Sequence, residues 1–438
     1  MNVILTNLLS VAFALGIIIV VHEAGHLLMA KTFSVRVLTF SVGFGKRLLG
    51  FNRGETDYRL SAIPLGGYVR LDGESPEDAS GDPRQFMSKP RWQRALVFLA
   101  GPAMNVVLSI GLFTGLYWVG INAPNLPAIA PVIGALDPGS PGERAGLRRG
   151  DLILRINGES ARSWQEVSLA LLTSPDKPVA LEVRRGDRVF PVTVVPKRVP
   201  RDEVGDAGIF PVIRPQISEV LAGKPAAGAG LRAGDEVRAV DGRPITETLD
   251  FIAAIKKRPG RRVSIEVVRD GKPMTFTMVT AVEGGEGKIG VSLGFFQRYP
   301  LGRALRESVR LNVQIVRETF QVLGKVFRRE MPAKGALAGP IEIAGQTGAA
   351  VRADFKNLFY IMGFLSLSIA ILNLMPIPIL DGGQIVILLV EGVIRRDLSV
   401  RVKEVISQVG LVLILMLMAV VIWFDLSKNL PPGFLPGS

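Results

Sequence analysis

The sequence predicts a polytopic α-helical membrane protein with four transmembrane helices and, between the second and third, two copies of one small α+β domain. Three observations predict it. Four apolar stretches, 1–21, 95–121, 358–380 and 405–424, carry no charge, and each is long enough to cross a hydrocarbon core of about 30 Å. Within 122–297 a sequence pattern recurs at an offset of 84 residues, the mark of a duplicated compact unit. Directly after the first span, 32–73 alternates Val35, Val37 and Thr39 and places turns at Gly43, Gly45, Gly66 and Gly67, a β-rich pattern.

Composition supports this class. Hydrophobic residues make up 48% of the 438-residue chain and the mean hydropathy is positive, unusual for a soluble protein. The net charge is +13. Its basic residues are spread along the chain rather than blocked with aromatics, so the expected partner is the lipid bilayer and not nucleic acid. The absence of cysteine excludes disulfides, thiolate metal sites and cysteine nucleophiles.

The first stretch lacks a basic n-region and runs into His22-Glu23-Ala24-Gly25-His26 instead of a cleavage site, so it reads as a retained span and not a signal peptide. Lys31, Arg36, Lys46, Arg47, Arg84, Lys89, Arg91 and Arg94 lie between spans one and two, and Arg395, Arg396, Arg401 and Lys403 between spans three and four. The positive-inside rule puts both segments in the cytoplasm and both termini outside, with 122–357 external. Spans one and three then run in the same direction. Their C-terminal ends, at the histidine pair and at Asp381, reach the same membrane face.

The external segment carries the repeat. Residues 145–158, AGLRRGDLILRING, align with 229–242, AGLRAGDEVRAVDG, and 181–186 aligns with 265–270. Each copy reads as a helix end, a turn, a strand and a hairpin turn, and resembles a PDZ domain. Such domains bind extended peptides at a sheet edge; a pair that only blocks access sterically is the equal alternative. In 299–330, Leu301, Leu305, Val309, Val313, Val316, Phe320, Leu323 and Phe327 fall at spacings of three and four. This predicts an amphipathic helix packing on the external domains or the membrane surface. The expected divisions are 1–30, 31–94, 95–121, 122–206, 207–297, 298–357, 358–394 and 395–438.

In H-E-x-x-H on a helix, residues i and i+4 share a face and can bind one Zn2+, with the glutamate beside the metal as base. The chain has only two histidines, and both are in this motif. Two imidazoles and a carboxylate at a span's end are costly and by default functional. A hydrolytic zinc site takes three protein ligands. With no further His and no Cys, the third must be acidic: Asp381 and Glu391 are the candidates near membrane depth. Pro376 and Pro378 break the helix before Asp381, and unwound backbone at that depth lines a cavity. This favours Asp381, whereas Glu391 lies nearer Arg395 and Arg396 and is expected in an ion pair.

HExxH ending the first span, N-x-x-P-x-P-x-L-D-G across Asn373–Gly382, and two PDZ-like domains between spans two and three resemble the site-2 protease family of intramembrane zinc metalloproteases. Residues 64–69, PLGGYV, and 101–105, GPAMN, match the family as well. The resemblance implies that His22, His26 and Asp381 bind zinc, that Glu23 activates water, and that Asn373, with Pro376 and Pro378, binds substrate. It implies that 32–73 is a re-entrant β element pairing with the substrate strand. It implies a bacterial inner-membrane location with the active site toward the cytoplasm. Substrates would be single-pass proteins already cut on the periplasmic side, of the anti-sigma-factor type, or remnant signal peptides. Gln384 departs from relatives that carry a basic residue or histidine there. A membrane-anchored PDZ scaffold and a transporter are the rival classes; the intact ligand set with Glu23 argues against the first, and four spans without an inverted repeat against the second.

Overall fold

The computed structural model describes residues 2–74, 80–122, 129–200 and 202–429. Residues 123–128 at the start of the first repeat copy, the tail 430–438, and the side chains of Pro64, Leu65, Leu249 and Asn429 lie outside the described residues. The chain forms two compact units: 1–118 with 300–319 and 337–438, and 119–299 with 320–336.

In the first unit, four helices among the described residues are long and apolar enough to cross a membrane: Val3–Thr32, Arg91–Val119, Phe355–Asn373 and Val400–Asn429. The first does not stop at residue 21. It continues through both histidines, because 22–32 contains no proline, and Asn2 caps its start, its Oδ1 accepting from Ile4 N at 3.1 Å. Its buried stripe is Thr6, Ser10, Ala14, Ile18 and His22, one residue every four, so small side chains let neighbouring helices approach the line that ends at the motif. The second helix starts four residues before the expected span and takes in Arg94, which is buried and lies 3.8 Å from Asp397.

The third span departs most from expectation. Its helix ends at Asn373, and Asp381 is the first residue of a separate helix, Asp381–Ile394, rather than the end of the span. Pro376 and Pro378 cannot donate backbone hydrogen bonds, so the helix cannot run through them. The loop instead folds against the new helix. A Cβ at Gly382 would sit 2.6 Å from the Met375 carbonyl oxygen, and one at Gly383 would sit 2.6 Å from Pro378 Cα. Gln384 Nε2 donates to the Pro378 carbonyl at 2.6 Å, closing the loop. The fourth span exposes Val409, Val412, Leu415 and Met416, side chains suited to lipid.

Glu391 is in an ion pair, but not with Arg395 or Arg396, both exposed. Arg395 adopts a left-handed conformation that ends the helix, and the returning chain puts Lys403 Nζ 2.7 Å from the fully buried Glu391 Oε1. Leu398 N donates to the same oxygen at 2.9 Å.

The β-rich segment is a long hairpin, Val37–Arg53 with Thr56–Leu71, folded back on itself. Residues 39–42 pair with 67–70 on one side and with 57–60 on the other, and 49–53 pair with 56–60. The order is therefore 67–71, 37–42, 57–60, 47–53, with 67–71 as an edge strand among the described residues. Gly43 has φ +88°, and a Cβ there would lie 2.5 Å from the Ile63 carbonyl oxygen, so the bend requires glycine.

Helix Leu301–Phe327 is present. Within the first unit its buried stripe is Ala304, Ser308, Asn312 and Ile315, with Ser308 Oγ 2.7 Å from Thr114 Oγ1 of the second span. The apolar row Leu301, Leu305, Val309 and Val313 is left exposed.

The second unit contains the repeat. Strands Leu152–Ile156 and Glu236–Val240, helices Trp164–Leu172 and Thr248–Lys256, and strands Val179–Arg185 and Arg262–Arg269 correspond between copies. Each copy has a four-stranded antiparallel sheet of matching order over its own apolar core. In the shared G-D pattern, Asp151 and Asp235 are fully buried, and each receives an arginine Nε at 2.7 Å, from Arg185 and Arg269. Asn157 and Asp241 take φ near +50° before Gly158 and Gly242, the two-residue hairpin turn that N-G and D-G favour.

Candidate metal centre

Three side chains converge where the first span meets the helix after the third. His22 Nε2 lies 3.1 Å from Asp381 Oδ2, His26 Nε2 lies 3.6 Å from Asp381 Oδ1, and the two Nε2 atoms are 3.2 Å apart. One ligand atom from each residue falls within 4.8 Å of the others. The donor set suits zinc. A tetrahedral Zn2+ with N and O ligands at ~2.0–2.2 Å spaces them roughly 3.3–3.5 Å apart, close to the separations found here. Each imidazole is held from its far side. His26 Nδ1 lies 2.8 Å from the Val97 carbonyl oxygen, and His22 Nδ1 lies 3.3 Å from Asn105 Nδ2; both partners belong to the second span.

Glycines make the approach of that span possible. A Cβ at Gly101 would lie 2.8 Å from His22 Cε1 and closer still to the His26 ring. A Cβ at Gly25 would collide with the Ala100 carbonyl. Glu23, between the histidines in sequence, turns to the edge strand of the β element, where Val69 N donates to its Oε2 at 3.0 Å. That edge passes close by, since a Cβ at Gly67 would be 3.8 Å from Glu23 Cγ. Asn373 ends the third-span helix and is half-buried; Pro376 is exposed and Pro378 half-buried in the loop leading to Asp381.

The structure thus brings together His22, His26 and Asp381, with Glu23 adjacent in the motif, and keeps Glu391 in its own ion pair. From the sequence, Gly101 and Asn105 stand only as matches to a family pattern. The signal for both was a polar residue and a Gly-Pro step inside an apolar span, where such residues carry a cost.

The second repeat copy has a further concavity, a cavity of about 300 Å3. Phe251, Ile252 and Ile255 of its helix line it together with Leu221, Val291, Lys224 and Lys256. Lys224 Nζ pairs with Glu283 Oε1 at 2.6 Å. Hydrogen bonds from Lys224 and Lys288 hold the Glu283 carboxyl below its ordinary value.

Comparison with known proteins gives the same outline over the whole chain. The model of Peptidase family M50 matches residues 10–417. The regulator of sigma-E protease RseP of Salmonella typhimurium is 31% identical, covering 97% of this chain and 99% of its own length. The Escherichia coli protein of the same name is 29% identical, covering 97% and 99%. A Ralstonia nicotianae protein named as a zinc metalloprotease is 32% identical over 96% of this chain and 98% of its own. Among solved structures, the PDZ domain of an SdrC-like protein from Listeria innocua aligns at 27% identity over 18% of this chain and 93% of its own, with a TM-score of 0.17. A polytopic chain with four spans and an HExxH helix, matched by the family from residue 10 to 417, belongs to Peptidase family M50 and is a zinc metalloprotease.

Proposed function

We propose that the chain is an intramembrane endopeptidase that cleaves the transmembrane segments of single-pass proteins, with zinc held by His22, His26 and Asp381. The observation that carries this reading is the convergence of those three side chains, from elements more than 350 residues apart in sequence, at a site flanked by apolar spans. Zinc bound there supplies Lewis acidity, lowering the pKa of water toward about 7 and polarising the scissile carbonyl. Glu23 takes the water's proton and returns it to the leaving amine. Val69 N–H orients the Glu23 carboxylate before the reaction. Gly101 and Gly25 keep the second span against the histidines, which excludes bulk water.

A helical substrate hides its carbonyls in i to i−4 hydrogen bonds and must unwind to be cut. The edge strand 67–71, whose Val69 N–H is held by Glu23 and whose Leu71 N–H is held by Glu74, offers its remaining outward backbone groups to the unwound strand, and Asn373, beside Pro376 and Pro378, offers an amide to its backbone. The repeat copies, 122–206 and 207–297, regulate entry from the periplasmic side. The apolar groove of the second supports capture of a newly made carboxyl terminus, with steric exclusion as the alternative. The exposed apolar row of Leu301–Phe327 rests on the membrane surface. By the family resemblance, and in keeping with relatives named as regulators of sigma-E, the substrates are of the anti-sigma-factor type, with remnant signal peptides as a second class. The enzyme sits in the bacterial inner membrane with both termini periplasmic and the zinc toward the cytoplasm.

The test is cleavage of a membrane-embedded reporter by purified protein together with its zinc content. The reading expects about one zinc per chain and cleavage abolished by chelator and restored by added zinc. A zinc-free protein, or cleavage indifferent to chelation, overturns it. Replacing 128–296 by a short linker separates the two regulatory readings: capture predicts lost cleavage of pre-shortened substrate, exclusion predicts cleavage of intact substrate.

A further inference from the structure

We infer that Asn105 is a positioning residue for His22, fixing which ring nitrogen carries the proton and exchanging its two amide ends as zinc is loaded. The inference rests on the zinc reading of the site. The two histidine Nε2 atoms face each other at 3.2 Å and face Asp381, so Nε2 is the metal-facing nitrogen of each ring. A ligating Nε2 must be bare, which puts the ring hydrogen on Nδ1. For His26 the structure already provides the acceptor, the Val97 carbonyl at 2.8 Å. For His22 the group that meets Nδ1 is the Asn105 amide, at 3.3 Å.

That amide is placed with Nδ2 toward the ring, as a donor. In this orientation Nδ1 accepts and the hydrogen sits on Nε2, where it meets Asp381 Oδ2 at 3.1 Å. This is a self-consistent hydrogen-bonded arrangement of Asn105, His22 and Asp381. With zinc bound, the same position must accept instead of donate, and Oδ1 does this after rotation of the amide by half a turn. Two observations make the rotation inexpensive. Asn105 is fully buried, so no exposed group competes for it, and its Oδ1 has no hydrogen-bond partner, so turning the amide breaks no second bond. Its backbone is meanwhile fixed, because Ser366 Oγ of the third span donates to the Asn105 carbonyl at 2.8 Å. The side chain turns on an anchored main chain.

An outer partner of a metal-bound histidine is typically worth ~10–100-fold in metal affinity. Zinc transfer from the purified full-length protein to a chelator of known affinity measures it, in wild type, Asn105→Leu and Asn105→Asp. The leucine matches the volume without a polar group, and the aspartate is a permanent acceptor that needs no rotation. The expected result is zinc held roughly 10–100-fold more weakly by Asn105→Leu, with Asn105→Asp at least as tight as wild type. With only two histidines in the chain, nitrogen-15 labelling of histidine reads both rings directly. The loaded wild type and Asn105→Asp should show two hydrogen-bonded Nδ1–H signals, and Asn105→Leu should retain only that of His26. Zinc affinity of Asn105→Leu within about threefold of wild type overturns the inference alone, as does an Asn105→Asp protein as weak as Asn105→Leu. A wild-type protein without zinc overturns the reading of the site and this inference with it.

Discussion

The two units bury carboxylates in opposite ways. In the repeat, Asp151 and Asp235 are fully buried, and each is met by an arginine Nε at 2.7 Å and by a backbone amide, that of Arg148 at 2.8 Å or Arg232 at 2.9 Å. Each arginine also donates to a carbonyl, of Gly146 or Gly230. The charge is matched and the lone pairs are used. Asp381, also shielded from water, faces two imidazole nitrogens that are neutral when they serve as metal ligands. A buried carboxylate that is saturated by a guanidinium holds a fold together. One aimed at two imidazole nitrogens forms, with them, the donor set of a cation site.

That contrast can be broken by exchanging effects. The largest is expected for Asp381→Ala, which should lose more zinc affinity than the ~10–100-fold typical of an outer partner while leaving the thermal transition of the repeat unit unmoved; zinc analysis and calorimetry read the two separately. Asp235→Ala should do the reverse. It strands Arg269 in a site where only 17% of its side chain is exposed, costing the repeat roughly 3 kcal/mol with normal zinc content. Next comes Gly101→Ala, whose methyl overlaps the histidine rings and should cost about 1–3 kcal/mol at the site, seen as ~10–100-fold weaker zinc retention. Lys403→Met should destabilise the spans by removing the cation that pairs with the buried Glu391, and adding Glu391→Gln should recover most of the loss, a coupling that a double-mutant cycle measures. Smallest is Ser163→Ala, which removes the cap on Glu166 N and should lower repeat stability by ~1 kcal/mol.

Much of this was legible in the sequence, for identifiable reasons. The spans announce themselves by the absence of charge. The repeat does so by an A-G-L-x-x-G-D pattern with a later N-G or D-G, in which the aspartate makes the buried pair and the glycine step makes the turn. HExxH encodes its own geometry through helical periodicity. Asp381 was reached by elimination and depth, and the two prolines signalled the helix break before it; that Asp381 opens a new helix was not legible, since hydropathy carries straight through 374–380. Lys403 as the partner of Glu391 was hidden because the reversal depends on a left-handed Arg395 that no composition signals. Asn105, Val97 and Val69 act through a backbone or an amide at long range, and only the packing of the second span and the β edge on the first reveals them.

The most direct measurement compares zinc content and reporter cleavage in purified Glu23→Gln protein with those in wild type. The account predicts unchanged zinc, because Glu23 is not among the three converging ligands, and cleavage reduced by at least about 100-fold through loss of the base. A Glu23→Gln protein that loads zinc and still cuts the embedded reporter at the wild-type rate would contradict it.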